Sequence, residues 1–332
     1  MLNFDRDFKL NNVNGALKLR GEIEKIVDTI CQNGYKNLCF LGIGGTLASS
    51  YQAHVHMQEY SEIEVFFQSA AEYLTTGNKR ITKDTVVVIS SVSGSTKEMV
   101  EAVEYINKHI GATILAFIDN KDSILTKITT HCISYPLNEQ LKFFMVADRF
   151  MFNNGEFPEY EDMYHEFDAK LAKALVDVEE ESDEFALAFA QKHCEDPIHY
   201  FVGAGNQYGA TYSYAMCYWE EQHWIRTKSI HSAEFFHGML EIIDKHTPVT
   251  LYIGEDSQRP LSERVARFLP KVCNNYTIID TKKFSLNGIK EEYRKHISHL
   301  VMHAVNNRID VHMEKINCHP MSIRRYYRQF DY

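Results

Sequence analysis

Phe40-Leu-Gly-Ile-Gly-Gly45 returns, little changed, as Phe201-Val-Gly-Ala-Gly205. In both places a short apolar run reaches a Gly-x-Gly turn and an amphipathic stretch follows. Strand, glycine turn and helix in that order open a parallel βαβ unit, and its return in the second half points to a duplicated unit. Gly-x-Gly after a strand also opens dinucleotide folds, but Leu47 and Tyr208 stand where the third glycine belongs. NAD binding therefore ranks low.

The flanking sequence extends both copies. Leu17–Gln32 reads as helix, Asn37–Gly42 as strand, Leu47–Glu59 as helix and Glu64–Gln68 as strand. Strand Thr85–Ser90, helix Thr96–Lys108 and strands Ala112–Ile118 and Cys132–Tyr135 follow. Gly155 and Pro158 interrupt the pattern before a long helical stretch, Asp162–His193. Its acidic run, Val178-Glu-Glu-Glu-Ser-Asp-Glu184, reads as a solvated helix face. The second alternation is strand Ile198–Gly203, helix Gln207–Glu221, extended Trp224–Ile230, strand Val249–Ile253, helix Leu261–Phe268, strand Tyr276–Asp280 and helix Lys290–Val305. The expected fold class is α/β, with two tandem domains, each a parallel sheet flanked by helices on both faces. The expected division is an N-terminal segment 1–19, a first domain 20–155, a linking helical segment 156–193, a second domain 194–310 and a tail 311–332.

Composition narrows the functional classes. The net charge of −10 disfavours nucleic acid as a partner, because phosphate contacts need a basic face. The longest apolar runs suit buried strands, not a membrane span of ~20 residues. Seven scattered cysteines with no Cys-x-x-Cys pair argue for reduced thiols and a cytoplasmic location. His296, His299 and His303 fall on one face of the last predicted helix, and without a partnering carboxylate they read as a surface or interface cluster, so no metal site is expected.

Two constellations carry chemistry. Strand Thr85–Ser90 runs into Ser91-Val-Ser-Gly-Ser-Thr96 and a helix begins at once. Ser91, Ser93, Ser95 and Thr96 supply hydroxyls, Gly94 admits close approach, and the helix start favours an anion. Serine-rich turns often serve only as N-caps. The density of hydroxyls at a strand's C-terminal end, where α/β sheets bind ligands, favours a phosphate site. The absence of a lysine excludes a P-loop. The second constellation is Glu221-Gln-His-Trp-Ile-Arg-Thr-Lys-Ser-Ile-His-Ser-Ala-Glu-Phe-Phe-His-Gly238. A carboxylate at Glu221 can move a proton between adjacent carbons and an imidazole at His237 can protonate a ring oxygen, which together are what aldose–ketose chemistry needs.

These features together resemble the sugar-isomerase (SIS) family, over residues 20–310. The resemblance implies that Ser91, Ser93, Ser95 and Thr96 bind a sugar 6-phosphate, with Gly45 and Thr46 beside them. It implies that Glu221 shuttles the proton between C1 and C2. His237 would assist ring opening from a partner subunit, making the active unit a homodimer or higher homo-oligomer. Glu234 would orient that imidazole or contact the sugar. The chain departs from the isomerase part of glucosamine-6-phosphate synthase: Val92, Ser95 and Leu47 replace its usual residues, and the near-terminal lysine is missing. Trp224-Ile225, Ile230–Gly238, Ala204–Gly209, Gly254–Arg264, His319–Tyr327 and Tyr332 instead resemble bacterial fructosamine-6-phosphate deglycases. That resemblance implies cleavage of a sugar–amino acid phosphate conjugate to glucose 6-phosphate and an amino acid, with no cofactor, since the amine supplies the electron sink. An aminosugar-phosphate isomerase or deaminase, or a sugar-phosphate sensor, remains the alternative.

Overall fold

The computed structural model describes residues 1–330, and Tyr332 lies outside them. The chain divides into two compact units, Asp7–Ala172 and Lys173–Tyr332, the latter joined by Met1–Arg6.

In chain order the first part contains α1 (Arg6–Lys18), α2 (Arg20–Asn33), β1 (Asn37–Gly42), α3 (Gly45–Tyr60), β2 (Val65–Ser69), α4 (Ala70–Thr76) and β3 (Thr85–Ser91). It continues with α5 (Lys97–His109), β4 (Thr113–Ile118), α6 (Leu125–Ile128), β5 (His131–Ile133) and α7 (Glu139–Asn153). The strands form one parallel sheet in the order β2-β1-β3-β4-β5. β1 and β3 are buried along their whole length, as a sheet covered on both faces requires. Cys39, Leu41, Val87 and Ile89 on one sheet face pack with Met99, Val103 and Ile106 of α5. The strand order reverses between β1 and β3, which opens a crevice at their C-terminal ends.

Helix α8 (Tyr160–His193) leads into the second unit. There β6 (His199–Gly203), α9 (Asn206–Ser213), β7 (Thr227–His231), β8 (Val249–Ile253), α10 (Arg259–Phe268) and β9 (Tyr276–Asp280) repeat the alternation. The sheet is again parallel, in the order β7-β6-β8-β9, which is the order of the first four strands over again. The duplication legible in the two Gly-x-Gly turns is therefore a duplication of topology.

The structure corrects three expectations. The acidic run on α8 is solvated only in part: Glu180, Glu181 and Glu184 are exposed, but Glu179 is buried and accepts from Asn307 Nδ2 at 3.2 Å. Asp183 accepts from the buried Arg308 Nε and lies 2.9 Å from His312 Nε2, and Arg308 also donates to the Leu2 carbonyl, fastening the N-terminus to this unit. The single helix predicted at Lys290–Val305 is instead α11 (Glu291–Arg294) and α12 (Ser298–Asn317), broken at residues 295–297. Of the three histidines expected at a surface or an interface, His296 and His299 are buried and His303 alone is exposed.

A cluster that sequence reading passed over lies at the end of α8. His193 Nδ1 and His199 Nδ1 both meet Asp196 Oδ2, at 2.7 and 2.8 Å, and His199 Nε2 meets Thr250 Oγ1 at 2.8 Å. These three side chains could hold a metal ion, but their spacing is that of a carboxylate shared by two imidazole N–H groups. Burial pushes the His199 ring down to about 4, against the opposing pull of Asp196. In the unfolded chain the ring titrates near 6.5, so acidification favours unfolding below that pH and the contribution is complete above it. Urea unfolding is expected to show about 2 kcal/mol less stability at pH 5 than at pH 7, with His199→Gln flattening that dependence.

Candidate active site

In the first unit, two turns meet the crevice. Gly44 adopts φ 60° and caps α3, and a Cβ placed on it would find open space. The Thr46 hydroxyl accepts from the Ile43 N–H and donates to the Ile43 carbonyl, both at 3.0 Å, so this predicted binding residue also locks the turn. Beyond β3, the Ser91 hydroxyl is buried and accepts from the Gly94 N–H at 3.0 Å. Gly94 has φ +62°, and a Cβ there would lie 2.0 Å from Ser123 Oγ. Ser93 Oγ accepts from the Ser95 N–H at 3.3 Å. Thr96 is the N-cap of α5, yet its side chain makes no capping bond. Of the four predicted hydroxyls, Ser91 and Ser93 thus shape the loop. Ser95 and Thr96 stand before the first turn of α5, where backbone N–H groups attract an anion.

The corresponding place in the second unit is already filled. Gly205 adopts φ 58°, matching Gly44. Here the loop after β8 delivers Asp256, whose Oδ2 accepts from the Asn206 N–H at 3.0 Å, while Gln258 Oε1 accepts from the Gly205 N–H at 3.1 Å. A Cβ on Gly205 would lie 2.3 Å from Asp256 Oδ1. The protein's own carboxylate thus occupies the slot that in the first unit faces open space.

Glu221 follows a widened helical turn. After α9 the chain passes into a π-turn over Tyr214–Glu220, and the Glu221 N–H donates to the Met216 carbonyl. Trp219 lies within this widened turn. It is fully buried, with its ring 4.6 Å from His199 and 5.0 Å from Phe201. Such bulges recur at functional sites. The buried Asp310 carboxylate pins both ends of the turn, accepting from Tyr214 OH at 2.9 Å and meeting His223 Nε2 at 3.0 Å. Burial raises the Asp310 pKa, against the opposing bonds from His223 and Tyr214.

The two adjacent glutamates separate cleanly. Glu220 Oε1 accepts from Thr227 Oγ1 at 2.7 Å, whereas Glu221 Oε1 accepts from Arg324 Nε at 2.8 Å. His237 sits on a 3-10 turn, Phe235–His237, just before Gly238. It is exposed, and its backbone N–H donates to the Glu234 carbonyl at 2.9 Å. The side chain of Glu234 is exposed too, so its tie to His237 here is through the backbone. Among the described residues no hydrogen bond joins Glu221 to His237.

Residues 34–147, which hold the strand-turn-helix crevice and the serine-rich loop, match the SIS domain family. That stretch reads as a SIS domain. The match spans β1 to β5 and the Ser91–Thr96 loop, while Glu221 and His237 lie beyond it in the second, topologically equivalent unit. The chain is 27% identical over 327 residues to fructosamine deglycase FrlB of Bacillus subtilis (strain 168), covering 95% of this chain and 98% of that protein. It is 23% identical over 271 residues to the fructoselysine 6-phosphate deglycase of Escherichia coli (strain K12), covering 79% and 78% of the two. A Bacillus subtilis crystal structure assigned provisionally as a phosphosugar isomerase superposes with a TM-score of 0.87 at 24% identity, over 95% of this chain and 99% of that one. That likeness establishes the fold, two α/β units each built on a parallel sheet.

Sequence reading missed one group beside the SIS-domain loop. Glu139 opens α7 directly after Leu137 and Asn138, both at positive φ (63° and 53°), a costly backbone for side-chain-bearing residues. The residue is half-buried, but its carboxyl is enclosed. Burial raises its pKa, opposed by hydrogen bonds from Ser49 and Ser90 and by the charge of Lys142. Lys142 is itself fully buried and donates to the Tyr135 carbonyl at 2.7 Å, tying the loop after β5 to α7. The sequence held one signal, a lysine within an otherwise apolar run at Leu141–Ala147.

Proposed function

We propose that the protein hydrolyses a 6-phosphorylated fructosamine to glucose 6-phosphate and a free amino acid. The observation that carries this reading is the near end-to-end likeness to a fructosamine deglycase. The Glu221 carboxylate, part-exposed and held by Arg324, in a chain that also has an anion-suited loop, supports it. In this reading the Ser91–Thr96 loop and the Gly45–Thr46 turn hold the 6-phosphate. His237 protonates the ring oxygen as the sugar opens to its C2 ketone. Glu221 removes a proton from C1, giving an enolamine, and returns a proton to C2. The resulting C1=N imine adds water, and the C1–N bond then breaks to leave the C1 aldehyde and the amine. His237 acts across a homodimer, which fits its exposure and the lack of a side-chain hydrogen bond to it among the described residues. A cytoplasmic location fits the free thiols.

The reading is tested by incubating the protein with fructoselysine 6-phosphate and following glucose 6-phosphate through a coupled dehydrogenase. His237→Ala is expected to lower kcat by about 10²-fold, the range of a single general acid. Mixing His237→Ala with an inactive Glu221 variant should restore part of the activity if the histidine serves a partner's site. Absence of product, with sugar phosphate still bound, would turn the assignment to an aminosugar-phosphate isomerase or a sensor.

A further inference from the structure

The tail after α12 turns back over Glu221. Cys318, at φ 50°, ends the helix. The Met321 N–H then donates to Glu314 Oε1 at 3.0 Å. The His319 ring lies 4.2 Å from the ring of Trp224, and the Arg325 guanidinium stands 4.0 Å from that same ring. Trp224 is held at φ +60°, a conformation a bulky residue adopts only under constraint. These contacts fix Arg324 with Nε on Glu221 and Nη1 on the carbonyls of Met321 and Ile323. Nη2 makes no hydrogen bond among the described residues, and the side chain is 21% exposed. One edge of the guanidinium is therefore still open.

A carboxylate whose oxygen is already engaged by arginine is not free to reach a C–H bond of the substrate. The ion pair makes chemical sense if something else takes the arginine when substrate arrives. The group removed in the proposed reaction carries a carboxylate, and in an α-linked conjugate that carboxylate lies two bonds from the nitrogen on C1. A guanidinium in contact with the base acting at C1 stands where such a carboxylate arrives, and its fork suits that partner.

We propose that Arg324 binds the carboxylate of the amino-acid part of the substrate, leaving Glu221 as it does so. Arg324 is then a specificity residue for sugar conjugates of amino acids over conjugates of simple amines. This inference rests on the reading of Glu221 as the base at C1.

The test compares two probes, the 6-phosphates of fructosylglycine and fructosylmethylamine, which differ only in the carboxylate. With the intact protein, kcat/KM is expected to favour the glycine conjugate by about 10²-fold, as a charged bidentate pair allows. Arg324→Gln should bring the ratio between the probes close to one, and Arg324→Lys should restore part of it. An equal loss on both probes would overturn the proposal and leave Arg324 as a positioning residue for Glu221. An unchanged ratio would overturn it as well. If neither probe releases glucose 6-phosphate, the deglycase reading fails by itself. Calorimetric binding then decides about Arg324: tighter binding of the glycine conjugate, lost in Arg324→Gln, upholds the carboxylate site, and equal binding of the two sinks it.

Discussion

Glu221→Gln is expected to lower kcat by about 10³-fold, within the range of general acid–base catalysis, while leaving ligand affinity within a few-fold. The amide has the shape of the carboxylate, and its oxygen can still accept from Arg324 Nε, so the turn after Tyr214–Glu220 keeps its partner. In the proposed reaction, what it loses is the ability to take a proton from C1. Two measurements isolate that step. Exchange of the C1 hydrogen with D2O should vanish along with turnover, while calorimetric binding of the sugar phosphate persists. Glu220→Gln is the matched control: its carboxylate is committed to Thr227, so turnover should stay within a few-fold. Equal losses in the two variants would mean that the widened turn, and not the proton acceptor, had been damaged.

Gly94→Ala is the second large effect. A side chain at φ +62° costs roughly 1–2 kcal/mol. The added carbon would also lie 2.0 Å from Ser123 Oγ and 2.8 Å from Ile118 Cγ2. The loop must therefore move, and with it the Ser91 bond to the Gly94 N–H that sets its curve. Affinity for a phosphate-bearing sugar is expected to fall by about 10²-fold, and a sugar lacking the phosphate should show no comparable change. The double variant Gly94→Ala/Ser123→Gly removes the collision with Ser123 but not the backbone strain. Its partial recovery would apportion the loss between the two. Full affinity in the single variant would remove the loop from the binding site.

Legibility followed the range of the interactions. β1, β8 and β9 carry the bounds read from sequence, because short apolar runs closed by turn residues are local signals. α7 was not read, since Leu141–Ala147 is buried on every side and such a helix has no polar face to betray its period. The break between α11 and α12 was missed because no glycine or proline marks it. In the site, the Ser91–Thr96 loop was visible through its local density of hydroxyls. Arg324 and Asp256 were not, because their meaning comes from partners far along the chain, at Glu221 and Asn206.

The Asp256 carboxylate on the Asn206 N–H has a consequence for stoichiometry. A group tethered within the same chain competes at an effective concentration in the millimolar range or above, and it needs no diffusion to return. Free phosphate esters at micromolar levels cannot displace such a built-in occupant. One half of the duplicated fold can thus be a receptor while the other carries its own ligand as covalent structure. A chain built from two copies of one fold would then titrate with a single equivalent of sugar phosphate.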